Sequence, residues 1–443
     1  MEGPRDKDGT HARAGAPRAG KELCIGAVVP LTGRLGSLGH PLAFVLEHLA
    51  PRLTRLTHDG RRYPLRLAVR DSRSEPGRAR RAVAELVARE GARVVVTMAG
   101  TQVLPAVADA CQDLGVPCLS TTFPWQAYVL TQGGGRGRAP GWTYHFAWGL
   151  DDIADVFADM WERAGAARTV GCLWNDGRQG RLLRHPRHGF APAATARGHT
   201  LVDPGGYAEP GGDGFAEHVR RFQDAGADIV TSAATGADLT LFLRRAHEAG
   251  LRPRLVTCSR WLAYPPDTRR AATAPQAVPP GPPSCRSAPS GPSAHATPAG
   301  PACPTAQVAT LVYWTPRHPY RSSLDGSSAA RLADAYRSAT GRPWLQPLGL
   351  AHALLEVAAH ALGTAADPTD RRAVAEALGR TKLSTVAGDL DFTTGPAPGI
   401  ALLPLAGGQW QPTGRGHRLA VVSNNRLPQV PLDGDLVLGG PDR

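Results

Sequence analysis

Lysine is almost missing from this chain: Lys7, Lys21 and Lys382 are the only three among 50 basic residues. The net charge of +12 therefore rests on arginines scattered along the sequence, not on a Lys/Arg stripe, and this argues against nucleic acid as a partner. Apolar runs of the roughly 18 to 20 residues needed to span a bilayer are absent, so no direct membrane insertion is expected. The first 21 residues carry charge but no apolar stretch, and none precedes Cys24. No export leader or lipid-attachment cysteine is read there, and the chain as written is expected to stay in the cytoplasm. The seven cysteines are odd in number and contain no CxxC pair, so neither a disulfide framework nor a zinc site is signalled.

Catalytic and cofactor signatures are equally scarce. There is no GxSxG elbow and no HExxH. Gly15 to Lys21 imitates a phosphate loop, but Glu22 stands where Ser or Thr must hold Mg²⁺, and the nearest strand follows instead of preceding it. Gly133, Gly134, Gly135 and Gly137 do not fit GxGxxG. His185 and His188 flank Pro186, which prevents a regular helical face, with no carboxylate nearby in sequence. No cofactor, no metal and no catalytic residue are therefore expected, although triads assembled from distant residues remain open.

What is present is a long chain with 42 % apolar residues, 51 Gly and 40 Pro, enough for two or three domains with sizeable cores. From residue 23 onward, strand and helix patterns alternate. Strands are expected at 24–30, 65–70, 92–98 and 116–120, with helices at 41–56, 78–90 and 104–114. A second series follows: strands at 169–174, 199–203, 228–233 and 254–258, with helices at 151–164, 189–197, 215–225 and 238–249. Later come a strand at 308–315, helices at 329–340, 348–363 and 370–379, and closing strands near 390–392 and 400–405. Such alternation predicts an α/β protein with two doubly wound parallel-sheet lobes, a hinge and a cleft between them. Residues 271–306 hold ten Pro, one charged residue and no Leu, Ile, Phe or Met, and are expected to be disordered.

In doubly wound sheets the ligand sits beyond the carboxyl ends of the strands. Hydroxyl, amide, aromatic and charged side chains recur there: Thr101 and Gln102; Ser120, Thr121, Thr122 and Trp125; Trp148; Asp238; Arg260 and Trp261. Each group alone is compatible with ordinary helix caps and packed aromatics, but five such strand ends together suggest a small-molecule cleft.

The opening IGAVVPLTGRLGSLG (25–39), the turn DSRSEPGRA (71–79), the segment GVPCLS (115–120) followed by Pro124-Trp125-Gln126, and YWTPRHPYRSSL (313–324) resemble the type I periplasmic binding fold, the amino acid or amide receptors of ABC transporters that include leucine-binding proteins. The resemblance implies a solute-binding protein that closes two lobes on a small polar ligand such as an amino acid or amide, with an ABC permease as partner and no chemistry. It also implies that Thr101, Ser120, Thr121 and Thr122 hold the ligand's polar groups, and an exported location. In the implied division 1–22 is a disordered N-terminal segment, 23–145 with 312–380 forms lobe 1, and 146–270 with 381–412 forms lobe 2. Residues 271–306 are an insert or a frame-shifted segment, and 413–443 an irregular tail. Arg260 stands where relatives place a carboxylate for the ligand's ammonium. A cytosolic sensor of the same fold and an α/β enzyme are the alternative readings.

Overall fold

The computed structural model describes residues 21–100, 102–130, 141–165, 168–212, 214–260, 308–413 and 416–439. Residues 1–20, the glycine run at 133–137 and the Pro-rich stretch 271–306 lie outside them.

Strand β1 (Leu23–Val29) is buried along its whole length and runs parallel between β3 (Arg61–Asp71) and β4 (Val94–Met98), with Ile25 opposite Leu67 and Val94. A strand covered on both faces needs no polar alternation, which explains the unbroken apolar runs LCIGAVV and VVVTM. The chain adds α1 (Gly36–Leu49), β2 (Arg55–His58), α2 (Pro76–Ala88), α3 (Val103–Asp113), β5 (Cys118–Thr121), α4 (Gln126–Val129) and β6 (Thr143–Ala147). Helix α2 approaches β1 at Gly26, where an added Cβ would lie 3.1 Å from the side chains of Leu86 and Ala92.

The second series runs α5 (Leu150–Arg163), β7 (Thr169–Leu173), α6 (Arg178–Leu183), α7 (Ala191–Ala196), β8 (Thr200–Val202), α8 (Phe215–Asp224), β9 (Ile229–Ser232), α9 (Gly236–Glu248) and β10 (Leu255–Cys258). After the undescribed stretch come β11 (Val308–Val312), α10 (Ala329–Thr340), α11 (Pro347–Thr364), α12 (Arg371–Arg380), β12 (Lys382–Thr385), β13 (Gly388–Asp391), β14 (Ile400–Leu402), β15 (Ala406–Thr413) and β16 (Gly416–Ser423).

Two seven-stranded sheets result, in the orders β14-β6-β5-β4-β1-β3-β2 and β16-β15-β11-β10-β9-β7-β8. Both are mostly parallel, with antiparallel pairing of β2 to β3 in one and of β15 to β11 and β16 in the other. Helices α1, α2, α3 and α11 pack on the first sheet and α5 on the second, so each sheet has its own lobe of helices. The chain crosses between lobes at 148–149, at 313 and at 403–405, where Leu403 N donates to Ala147 O at 2.7 Å. The side chains crowd the first crossing: a Cβ at Gly149 would lie 2.0 Å from Asp151 Oδ1, which would have to turn away.

Several boundaries differ from those expected. Residues 382–402 do not join the second lobe: β14 pairs with β6 in the first sheet, and the β12–β13 hairpin packs against α11 and β14. The open edge of β6 captures the three-residue β14 through long-range pairing, which no local pattern announces. Strand β11 belongs to the second sheet, so lobe 1 resumes only after residue 312. The tail is not irregular throughout, because β16 continues the second sheet and Leu427 and Val430 bury themselves against it. Residues 55–58 form a strand, not the end of a helix, and α1 starts at Gly36, five residues earlier than expected. Among the described residues no helix is long and apolar enough to cross a membrane, and no group of three or more His, Cys, Asp or Glu is placed to hold a metal.

Candidate functional site

A cavity of about 470 Å³ opens between the lobes at the carboxyl ends of β1, β4, β5 and β6 on one side and β9 and β10 on the other. Its first-lobe wall begins with the loop after β1 and the first turn of α1, which bring Arg34 and Leu35, and Ser37 and Leu38, to the cavity. Asp71 fixes this loop: its carboxylate accepts from Leu31 N (3.0 Å), Thr32 Oγ1 (2.7 Å) and Arg73 N (2.8 Å). Partial burial works against its ionisation, yet the bonds from Arg73 and Thr32 prevail and hold its pKa below the ordinary value. Ser74 Oγ completes the clamp, donating to Thr32 O and accepting from Leu35 N. The DSRS turn thus serves as the scaffold of the cavity wall.

Thr122 lies just past β5 and lines the cavity with φ of +92°, a left-handed conformation that a β-branched residue rarely adopts. Its hydroxyl lies against the carbonyls of Thr121 and Ala99. Strain of this kind persists only where the surroundings enforce it, and it gathers at ligand-binding sites. Beneath Thr122 runs a buried polar chain. Tyr128 OH meets Ser120 Oγ at 3.0 Å, Ser120 Oγ meets His145 Nδ1 at 3.0 Å, and His145 Nε2 meets Phe123 O at 2.8 Å. A carbonyl only accepts, so Nε2 carries the proton and Nδ1 accepts from Ser120. Burial lowers the His145 pKa to about 4, keeping the ring neutral and this chain intact. The chain holds Phe123, which lines the cavity together with Pro124 and Ala127.

Trp148 and Tyr313, one at each of two lobe crossings, stack face to face with centroids 4.5 Å apart and both border the cavity. Burial pushes the Tyr313 phenol far above its usual range, so it remains neutral. The second lobe contributes Leu150 and Ile153 from α5, Gln179, Leu182 and Leu183 from α6, Thr235 and Gly236 after β9, and Ser259 and Arg260 after β10. Ser259 Oγ is buried and, among the described residues, has no hydrogen-bond partner.

Two guanidinium groups and no carboxylate are among the described residues lining the cavity. They are not equivalent. Arg34 meets Gln102 Oε1 at 3.3 Å and forms no ion pair with a described residue. Arg260 is bound by Glu209 Oε1 at 2.6 Å and by Ala233 O at 3.2 Å.

Of the candidates read from sequence, the structure brings Thr122, Trp148 and Arg260 to the cavity. Thr101 and Trp261 lie outside the described residues. Ser120 and Thr121 are wholly buried, the first in the His145 chain and the second bound to Phe146 O, because they sit inside β5 and not past its end. Gln102 is exposed beside Arg34, Trp125 packs beside Gly149, and Asp238 is turned inward toward Gly211 N and Tyr207 OH. Sequence reasoning missed Arg34, Ser37, Gln179 and Tyr313 as lining residues, although all lie near strand ends or in motifs it had singled out.

The sequence matches the family model for periplasmic binding proteins over residues 22–414. No curated protein matches it in sequence. Among solved structures, it resembles a leucine-binding protein from Thermotoga maritima at 14 % identity and a TM-score of 0.65, covering 91 % of this chain and 99 % of that one. It resembles a solute-binding protein of an ABC transporter from Rhodopseudomonas palustris in complex with benzoate at 16 % identity and 0.61, covering 95 % and 99 %. A solute-binding protein from Rhodopseudomonas palustris BisB5, in complex with 3,4-dihydroxybenzoic acid, is similar at 16 % and 0.63, covering 91 % and 96 %. Identities this low speak for the fold alone.

Proposed function

The chain belongs to the periplasmic binding protein family, and from that premise we propose that it is the solute-binding protein of an ABC-type uptake system, taking a small organic carboxylate into the interlobe cavity. The ligand is held reversibly, with no bond made or broken, and is delivered to a permease on the outer side of the cytoplasmic membrane. The observation that carries the ligand class is the charge of the wall: Arg34 and Arg260 face the cavity with no described carboxylate among the lining residues.

An amino acid would bring an ammonium needing a counter-charge, and burying one without it costs several kcal/mol. This favours an acid with an apolar body over an amino acid. Trp148, Tyr313, Phe123, Leu35, Leu38, Ile153 and Leu183 supply apolar walls suited to such a body. The fold itself can hold such a body, since two similar proteins were solved with benzoate and 3,4-dihydroxybenzoate.

In this reading the acid docks first on Arg34, Thr122 and the first-lobe loop. The second lobe then closes through the crossings at Trp148 and Tyr313, presenting Thr235, Ser259 and Arg260. Thermal melting with benzoate, 3,4-dihydroxybenzoate and leucine tests it. A rise in melting temperature with either acid and none with leucine is the expected result, and a shift with leucine alone overturns the carboxylate reading.

A further inference from the structure

We propose that Glu209, which does not line the cavity, fixes the ligand's charge at one carboxylate by neutralising Arg260. The proposal rests on the cavity being the solute site. Glu209 is carried there by the stretch ending at Tyr207, which runs beside the end of β7: Tyr207 N donates to Trp174 O at 3.1 Å, and Asp176 N to Tyr207 O at 2.9 Å. Asn175, only 4 % exposed, accepts through Oδ1 from Gly177 N and Gly180 N, both at 3.1 Å. With its oxygen thus committed to the start of α6, its amide nitrogen must face the other way, and it donates to Glu209 Oε1 at 2.9 Å. The same oxygen takes the Arg260 guanidinium at 2.6 Å.

The second-lobe wall therefore offers Arg260 as a hydrogen-bond donor whose charge is already cancelled, while Arg34 on the first lobe has no ion-pair partner among the described residues. One carboxylate balances the cavity. A second carboxylate, brought against Arg260, would meet Glu209 behind it and be repelled, which is how a site excludes an otherwise fitting competitor. Glu209 is thus a positioning and specificity-determining residue that acts through Arg260.

The test is calorimetric titration of the full chain with benzoate and with the three benzenedicarboxylates, for the wild type, Glu209→Gln and Glu209→Ala, each with a melting curve to check folding. The wild type should bind benzoate at least about tenfold more tightly than any of the dicarboxylates. In Glu209→Gln, which preserves shape and frees the Arg260 charge, at least one dicarboxylate should gain about tenfold or more and should gain more than benzoate does. If benzoate binds but neither folded variant gains for any dicarboxylate, the role of Glu209 is overturned and the carboxylate reading stands. A wild type that binds any of the dicarboxylates as tightly as benzoate overturns it without recourse to a variant. If the wild type binds none of the four acids, the carboxylate reading falls and this inference with it.

Discussion

The two lobes share a sheet architecture and contribute one guanidinium each to the cavity, yet they prepare it differently. On the first lobe the wall is set before any ligand arrives: Asp71 pins the loop that carries Arg34, the His145 chain fixes Phe123, and Thr122 is held in a strained conformation. On the second lobe Arg260 is already bound to Glu209, and the remaining polar groups are neutral. Under the proposed function, the difference assigns charge recognition to the first lobe, and closure and discrimination to the second.

The comparison breaks most visibly at the two arginines. Arg34→Met should weaken benzoate binding about a hundredfold, near 3 kcal/mol, because it removes the uncompensated cation. Arg260→Met, which removes a neutralised one, should cost less than about tenfold. Equal losses in calorimetric titration would erase the distinction between the lobes.

Acid should tell the lobes apart next. His145 in the first lobe is neutral when folded, with its pKa lowered by burial to about 4 from the ordinary 6.5. Between those values the unfolded chain takes up a proton that the folded chain refuses. The stability contributed by this ring is therefore full above about pH 6.5 and declines as the pH falls toward 4, by about 3 kcal/mol. Urea midpoints measured from pH 7 to 4 should follow that decline, and His145→Gln should make it shallower, leaving the part contributed by His318, whose pKa burial also lowers to about 4. A profile unchanged by the substitution would show that the acid sensitivity arises elsewhere.

Asp71→Ala should come third. Losing the bonds that anchor the Arg34 loop is expected to lower stability by about 2 kcal/mol and to weaken benzoate binding as well, through displacement of Arg34. Asp238→Ala, the removal of a buried carboxylate from the second lobe, should lower stability comparably but change affinity less than about threefold. Smallest is Ser120→Ala, expected to cost about 1 kcal/mol in the melt through the broken Tyr128–His145 link and to leave affinity within about twofold. A large affinity loss there would restore Ser120 as a ligand contact.

Much of this was legible in the sequence, and the misses have physical causes. Buried parallel strands such as LCIGAVV and VVVTM declare themselves, and the rule that ligands lie past strand ends led to Thr122, Trp148 and Arg260. It also drew in Ser120 and Thr121, because a strand's last bonded pair cannot be told from the residue beyond it without the register of β5 against β6. Arg34 lies inside the opening motif 25–39 without standing out from it, since only the distant Asp71 clamp reveals where that segment is aimed. Strand β14 and the crossing of 382–402 into the first lobe depend on β6 offering an open edge, which is a property of the assembled sheet and not of any window of sequence. Glu209 was silent for a similar reason: its partners Asn175 and Arg260 lie 34 and 51 residues away.

The central claim, an anion-selective cavity anchored on Arg34, is tested most directly by thermal melting against a matched panel of monocarboxylic acids and the amino acids that share their side chains, from benzoate and phenylacetate to phenylalanine and leucine. The account predicts a rise in melting temperature with one or more of the plain acids and none with any amino acid. A rise with amino acids and none with the plain acids would contradict it.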